Sequence, residues 1–374
     1  MSNIVELKKV NNKIWETALK EAGANGTLFQ STYWADYLRT VYKDHPIYIA
    51  SLDRKGDIQA LLLAIESSYA KHPMFNAASK NAFISKFYNY TVSPLFQKTL
   101  PYLVWENGPI ILPKLIEKAD RDTTYRNIVL KTIQKAKERR NYSIQFVRPP
   151  FFNDDPIVFS SLNFDKKRMG TLLVNLKQPL EAVWKSVDNA ARRGIKKTET
   201  NIEIRRVRNV DDLRLFHSMH VENCRRAKVT VRPYLFFLSL WNHFSPFEKI
   251  VGFVAHYHGQ LVGSILCLAH NLTVHMYALG DSDFARSNRV YVLDVLIWHS
   301  IKWAHENGFE YFDLSGVELY RTEAGDAKAL AIFKYKSKWG GQLAEYHDYK
   351  KILQRKNSVN VLNHILSEGD GLHN

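Results

Sequence analysis

Cysteine is scarce in this sequence. Cys224 and Cys267 are the only two among 374 residues, and they lie far apart with apolar or basic neighbours. Two such thiols cannot build a disulfide framework or a four-ligand zinc site. We therefore expect a protein of a reducing compartment that holds no metal.

Long apolar runs are missing as well. A membrane-spanning helix needs about 18 or more consecutive apolar residues, and no such run occurs. The N-terminal stretch "MSNIVELKKVNNK" carries charges where a signal peptide has its apolar core. These absences predict a cytoplasmic protein. Peripheral contact with a membrane is compatible with them.

The common motifs for nucleotides, metals and nucleophiles are also absent. The sequence has no phosphate-binding Gly-x-x-x-x-Gly-Lys loop, no Gly-x-Gly-x-x-Gly after a strand, no His-Glu-x-x-His and no Gly-x-Ser-x-Gly. The nearest histidines, His256, His258, His270 and His275, lack a carboxylate or cysteine at ligand spacing. We expect them to be ordinary hairpin residues rather than metal ligands.

The composition is that of a globular protein with a strong positive charge. Hydrophobic residues make up 45% of the chain and aromatic residues 13%, and 374 residues suit two domains. The formal net charge of +15 favours an anionic partner such as nucleic acid, a phosphorylated metabolite or an acidic membrane face. The alternative is that the charge only maintains solubility.

The two halves of the chain repeat one order of elements. Residues 47–66 and 251–270 each read as a strand, a tight turn and a second strand, with Gly56 and Gly259 in the turns. Each hairpin is followed by an amphipathic helix and a short apolar strand. We predict an α/β protein with tandem domains at 1–168 and 169–374, each a mixed, mostly antiparallel sheet flanked by helices. C-terminal residues can complete the first sheet.

A basic stretch separates the two repeats. Arg192, Arg193, Lys196 and Lys197 fall on one side of a predicted helix. Such a run is either a solvated helix face or a surface that contacts phosphates, as in RNA.

The order of several motifs resembles the Fem family over nearly the whole length. They are "LFQSTYWADYLRTVY", "WENGPIIL", "AARRGIKKTE", "HGQLVGSILCL", "VHMYALGDSD", "WAHENGFEYFDLSGV" and "IFKYKSKWGG". Members of this family have two GNAT-like domains and transfer an amino acid from aminoacyl-tRNA to an amine of a peptidoglycan precursor. The resemblance implies an N-acyltransferase with tRNA and an anionic small-molecule or peptide precursor as partners, acting on a cell-wall or other precursor.

The stretch "YKSKWGG" is expected to carry the catalytic residue. It reads as a strand with Lys334, Lys336 and Lys338 on alternate positions. The resemblance makes Lys336 the lysine that reaches the reacting centre, where an ammonium would stabilise a tetrahedral oxyanion. We expect Lys334 and Lys338 to face solvent on an edge strand.

Other site residues are implied by the same resemblance. Arg232 and Tyr234 match a segment that grips the phosphates and peptide of the precursor, and Tyr277 matches a tyrosine near the acceptor. Tyr335 joins this substrate-binding set as the neighbour of Lys336. Asp313 either orients an acceptor ammonium or caps the following turn.

The identity of the acyl donor distinguishes three hypotheses about the function. CoA-dependent GNAT enzymes cradle a pyrophosphate on a glycine-rich loop at a helix start, whereas "SDFARSNRVYVLD" holds Arg286 and Arg289 and no glycine. Aminoacyl-tRNA is therefore the favoured donor, and no bound cofactor is expected. The arginines could still bind the phosphates of an acyl-CoA. A non-catalytic RNA-binding protein is the third hypothesis.

Overall fold

The computed structural model describes residues 3–68, 101–148, 150 and 158–353. They divide into two compact units. The first extends to Met169 and takes up the C-terminal strand from Glu345 onward, and the second is Gly170–Ala344. None of the helices in these described ranges is long and apolar enough to cross a bilayer.

The first unit is a sheet covered by helices. Its strands lie in the order β1-β2-β3-β4-β6-β13, with β5 beside β3. They are β1 (Asn3–Glu6), β2 (His45–Leu52), β3 (Ile58–Ser68), β4 (Pro101–Trp105), β5 (Ile110–Ile111), β6 (Ser143–Val147) and β13 (Gln342–Ile352). The helices are α1 (Asn12–Glu21), α2 (Thr32–Tyr37) with a π-helical turn at Leu38–Tyr42, α3 (Lys118–Glu138) and α4 (Val158–Ser161). Ile49, Leu62 and Phe146 lie in its core.

The second unit repeats this plan. Its strands lie in the order β7-β12-β11-β10-β9-β8. They are β7 (Asp165–Asn175), β8 (Ile202–Arg206), β9 (Ile250–Tyr257), β10 (Gln260–His270), β11 (Thr273–Asp281) and β12 (Tyr311–Val317). The helices are α5 (Leu180–Ser186), α6 (Asn189–Thr198), α7 (Val210–Ala227), α8 (Tyr234–Phe244), α9 (Asp283–Ser287), α10 (Val292–Glu306), α11 (Leu319–Glu323) and α12 (Ala327–Ser337). Ile265, Leu296 and Trp339 lie in its core.

The predicted α/β fold is confirmed in both units. The hairpins β2–β3 and β9–β10 pair antiparallel around turns in which Gly56 and Gly259 have positive φ. In each unit one parallel pair, β4 with β6 and β11 with β12, is bridged by a long helix, α3 or α10. All the other pairs described are antiparallel, so the sheets are mixed and mostly antiparallel.

The stretch "YKSKWGG" does not form a strand, and this prediction is wrong. Residues Ala327–Ser337 form α12, whose first turn is capped by the Asp326 side chain accepting a hydrogen bond from the Ala329 N–H. Alanine, leucine and lysine in this segment are strong helix formers. The helix ends before Gly340, which has a φ of 70°. The three lysines therefore do not share one face.

The parallel pair β11–β12 opens soon after it begins. Among the described residues, Thr273–His275 pair with Tyr311–Asp313, and no pairing of the two strands continues beyond them. Tyr277 lies where the register of β10 and β11 shifts, which is a bulge. The register of β12 against β7 also shifts, between Asp313 and Gly316. The two strands thus part at His275 and Asp313 and leave an opening in the sheet.

Candidate active site

Lys336 projects from α12 to the place where β11 and β12 part. Its ammonium donates hydrogen bonds to the carbonyl oxygens of Ser315 at 3.0 Å and Gly316 at 2.8 Å. Burial lowers the pKa of Lys336 to about 8, although the negative charge of Asp313 opposes that shift. An ammonium has three N–H donors, so the two carbonyls fix it and leave a donor for a ligand.

Asp313 caps the turn that receives Lys336. Its Oδ1 accepts hydrogen bonds from the Ser315 N–H at 2.8 Å and from the Thr171 hydroxyl, and its Oδ2 lies 3.1 Å from His275 Nδ1. Burial alone would raise the pKa of Asp313, but His275 and these hydrogen bonds outweigh it, so the pKa is lowered. The carboxylate is therefore ionised and buried among its own partners.

His275 is a residue of this cluster that the sequence did not reveal. We expected an ordinary hairpin histidine, yet it lies on β11 at the last pair with β12 and contacts Asp313. A usable signal was its position two residues before Tyr277, since alternate residues of a strand share a face. In the part of the chain that the structure describes, no three histidine, cysteine or acidic residues are arranged to hold a metal ion.

Arg232 and Tyr277 come together across α8 and β11. The Arg232 guanidinium carbon lies 5.3 Å from the centre of the Tyr277 ring and 5.1 Å from that of Phe236. The two rings are nearly parallel, at 10°, with centroids 6.4 Å apart. Each ring face attracts a cation, so the exposed guanidinium is held beside Tyr277.

Tyr234 contacts α7. Its hydroxyl donates a hydrogen bond to the Val210 carbonyl at 3.2 Å, and its ring lies 5.9 Å from the Arg214 guanidinium carbon. Both partners lie in the first turns of α7, so these contacts fasten α8 to α7.

Tyr335 on α12 and Lys338 just after it both contact the buried Asp294 carboxylate. The Tyr335 hydroxyl lies 3.2 Å, and the Lys338 ammonium 2.6 Å, from one carboxylate oxygen of Asp294. Burial, and then the charge of Asp294, raise the pKa of Tyr335 well above its usual value. Lys338 keeps only 21% of its side chain exposed. The expectation that it faces solvent is wrong, because it neutralises a buried carboxylate, whereas Lys334 is exposed.

Helix α6 presents the predicted basic face. Ala191, Gly194, Ile195 and Thr198 are buried, and Arg193, Lys196 and Lys197 are exposed on the other side. The half-buried Arg192 donates to the Asn189 side chain.

The two arginines after β11 differ in their contacts. Arg286 Nε donates to Asp281 Oδ2 at 2.8 Å, and Arg226 binds the same carboxylate. Arg289 is exposed with a φ of 53°. Arg286 is therefore committed to an ion pair, and Arg289 faces solvent.

The start of α10 contacts α6. The Tyr291 N–H lies 3.3 Å from the Thr198 hydroxyl oxygen, and a Cβ on Gly194 would lie 3.0 Å from the Tyr291 ring. The first turn also holds the buried Asp294 carboxylate. A helix start that receives a diphosphate offers free N–H groups, and here the Tyr291 N–H is already engaged by Thr198.

Comparisons with known proteins agree with this architecture. Residues 185–337 match the family model described as an acetyltransferase (GNAT) domain. A solved structure, the crystal structure of FemX, is 13% identical with a TM-score of 0.69, and the match covers 94% of this chain and 97% of that one. The fold is that of a tandem GNAT protein.

Two further solved structures share the fold. A tandem GNAT protein from the clavulanic acid biosynthesis pathway is 7% identical with a TM-score of 0.53, covering 96% of this chain and 100% of its own. The C-terminal domain of a putative lysylphosphatidylglycerol synthetase from Agrobacterium fabrum is 10% identical with a TM-score of 0.50, covering 90% and 92%. None of the curated proteins matches the chain.

Proposed function

We propose that this protein is an N-acyltransferase that moves an aminoacyl group from aminoacyl-tRNA to an amine of a cell-wall precursor or another small-molecule or peptide precursor. The observation that carries the proposal is the Lys336 ammonium, fixed by two carbonyl oxygens where β11 and β12 part. It lies inside the residues that match a GNAT domain. Because the donor is charged tRNA, we place the reaction in the cytoplasm.

The reaction needs a fixed cation. The acceptor nitrogen attacks the ester carbonyl, a C–N bond forms, and a tetrahedral oxyanion develops. The bond to the ribose oxygen then breaks, and the proton lost by the amine balances the one gained by that oxygen. The remaining N–H of Lys336 can donate to the oxyanion or the leaving oxygen, and the ammonium needs no reorganisation to do so.

The basic surface and the engaged Tyr291 N–H at the start of α10 favour tRNA over CoA as the donor. RNA binding needs cations on an accessible surface rather than a precise pattern, and α6 exposes Arg193, Lys196 and Lys197. CoA instead needs free N–H groups at a helix start, and the Tyr291 N–H is engaged by Thr198. Arg232, held beside Tyr277, is a suitable cation for an anionic acceptor.

A binding titration tests the donor. Purified protein is titrated with charged tRNA, uncharged tRNA and acetyl-CoA at two salt concentrations. Tighter binding of charged tRNA that weakens steeply with salt supports the proposal. Binding of acetyl-CoA alone overturns it in favour of an acyl-CoA-dependent enzyme. RNA binding that ignores the charged 3′ end favours a non-catalytic RNA-binding protein.

Reversing two charges on α6 should weaken RNA binding. We expect Lys196→Glu with Lys197→Glu to lower tRNA affinity at least about tenfold and to reduce the salt slope by about two, because each phosphate contact contributes about one. The control is Lys118→Glu with Lys137→Glu on α3, which changes the net charge equally at exposed sites of the first unit. Equal weakening by both pairs would mean that only net charge matters.

The rate should fall at alkaline pH. Lys336 has its positive charge and its third N–H only when it is protonated, so kcat/KM should decline as pH rises through its pKa of about 8. Deprotonation of the acceptor amine acts in the opposite direction and gives a bell-shaped profile. Lys336→Arg stays charged over this range, so it should lose the alkaline decline. An unchanged decline in Lys336→Arg would assign it to another group.

A further inference from the structure

Ser315 adopts a backbone conformation that serine rarely takes. Its φ is 70°, and it lies where the register of β12 shifts against β7. A left-handed backbone conformation costs a residue that has a Cβ about 1–2 kcal/mol. Contacts with neighbouring groups must therefore hold Ser315 in this conformation. The Asp313 carboxylate does so by accepting the Ser315 N–H at 2.8 Å.

The turn at Ser315 supplies the two carbonyl oxygens that accept hydrogen bonds from Lys336. Because Ser315 is left-handed, its carbonyl and that of Gly316 both come within 3.0 Å of one ammonium. A continuous run of bonds thus leads from the Asp313 carboxylate through the Ser315 backbone to Lys336. The Coulombic attraction between Asp313 and the ammonium also favours the charged form of Lys336.

Asp313 is itself fixed from two neighbouring strands. Thr171 on β7 donates to its Oδ1, and His275 Nδ1 on β11 lies 3.1 Å from its Oδ2. Its side chain is only 12% exposed. A carboxylate with both oxygens engaged and little exposure is poorly placed to receive an acceptor ammonium from solvent.

We propose that Asp313 is a positioning residue for Lys336: it holds the Ser315 turn whose carbonyl oxygens receive the ammonium, and it supplies a neighbouring negative charge. This inference rests on the role given above to Lys336. It differs from the expectation that Asp313 contacts the acceptor, because Asp313 acts on the reaction only through Lys336.

Asp313→Asn separates the two effects of Asp313, which are the hydrogen bond from the Ser315 N–H and the negative charge. The amide oxygen of an asparagine side chain can still accept from the Ser315 N–H, so Asp313→Asn keeps the turn but removes the charge. The charged and titratable partners of this cluster are Lys336 from α12 and His275 from β11, while Thr171 from β7 is neutral. Removing the carboxylate leaves burial to act on Lys336 without its counter-ion, so the ammonium should lose its proton at lower pH.

The test measures the protonation of Lys336 directly and needs no substrate. Protein labelled with ¹³C at the lysine ε-carbon is titrated by NMR, and the Lys336 signal is the one missing in Lys336→Met. It should titrate near pH 8, apart from surface lysines near 10.4. In Asp313→Asn its midpoint should fall by about one pH unit.

The matched control is Asp326→Asn, which removes a carboxylate from the N-cap of α12 but keeps a capping side chain. It should leave the Lys336 midpoint in place. If Asp313→Asn does not fold, Ser315→Gly is added, since glycine takes a φ of 70° without help. An unmoved midpoint in a folded Asp313→Asn variant overturns the inference. The midpoint is measured without tRNA. An unmoved midpoint can therefore be distinguished from a failure of the proposed function.

Discussion

Lys336→Met should lower kcat/KM about a hundredfold or more while leaving the fold intact. Methionine keeps much of the length and apolar stem of lysine but provides no N–H and no charge. One preorganised donor to an oxyanion is worth on the order of 3 kcal/mol, which corresponds to that loss in rate. The measurement is a steady-state comparison of aminoacyl transfer by the two proteins, with circular dichroism as the check on folding.

Lys334→Met is the control for this experiment. Lys334 lies on the same helix two residues earlier and is exposed, so its loss removes the same charge from a different face of α12. We expect its kcat/KM to stay within about threefold of the wild type. If Lys336→Met also stays within threefold, the oxyanion role of Lys336 is wrong.

The effect should fall mainly on kcat. Lys336 is held by Ser315 and Gly316 before any substrate arrives, and the charge that it opposes develops only in the transition state. An interaction made only there lowers kcat and kcat/KM together. A rise in KM at constant kcat would instead show that Lys336 binds the ground state of the donor, for example through a phosphate.

Local signals predicted the hairpins correctly. Residues 47–66 and 251–270 each hold two mostly apolar runs around a glycine turn, and both turn glycines have a positive φ. A local signal, the alternation of lysines, was misleading at Lys334, Lys336 and Lys338. Alternation over five residues is a weak signal, and the helix formers before it together with the Asp326 cap decided the structure.

The site was predictable only in part. The resemblance implied Lys336, Arg232, Tyr277 and Asp313, and their roles stay predictions. The contacts of Asp313 depend on strand pairing that no local pattern reveals. Thr171 bonds to Asp313 across 142 residues of sequence, and His275 across 38. We expected His275 to be an ordinary hairpin residue because it sits beside a hairpin in sequence, whereas the carboxylate that it contacts, that of Asp313, is on the parallel strand β12.

Gly340→Ala should destabilise the second unit strongly. Gly340 has a φ of 70°, which costs alanine about 1–2 kcal/mol. An added Cβ would also lie 2.6 Å from the Ser186 backbone oxygen and 2.3 Å from its hydroxyl oxygen, and such overpacking costs about 1–3 kcal/mol more. We therefore expect a loss of roughly 2–5 kcal/mol in the free energy of unfolding, measured by urea denaturation.

Gly325→Ala separates the two causes. Gly325 precedes the same helix and has a φ of 80°, but an added Cβ there meets no atom within 4 Å. Gly325→Ala should lower the free energy of unfolding only by the backbone contribution, about 1–2 kcal/mol. The difference between the variants measures how closely the chain after α12 packs on the end of α5. Just beyond that end, the Asp188 N–H also donates to the Lys338 carbonyl at 2.7 Å. Equal losses would mean that this packing is loose, and the end of α12 would then be a poor anchor for Lys336.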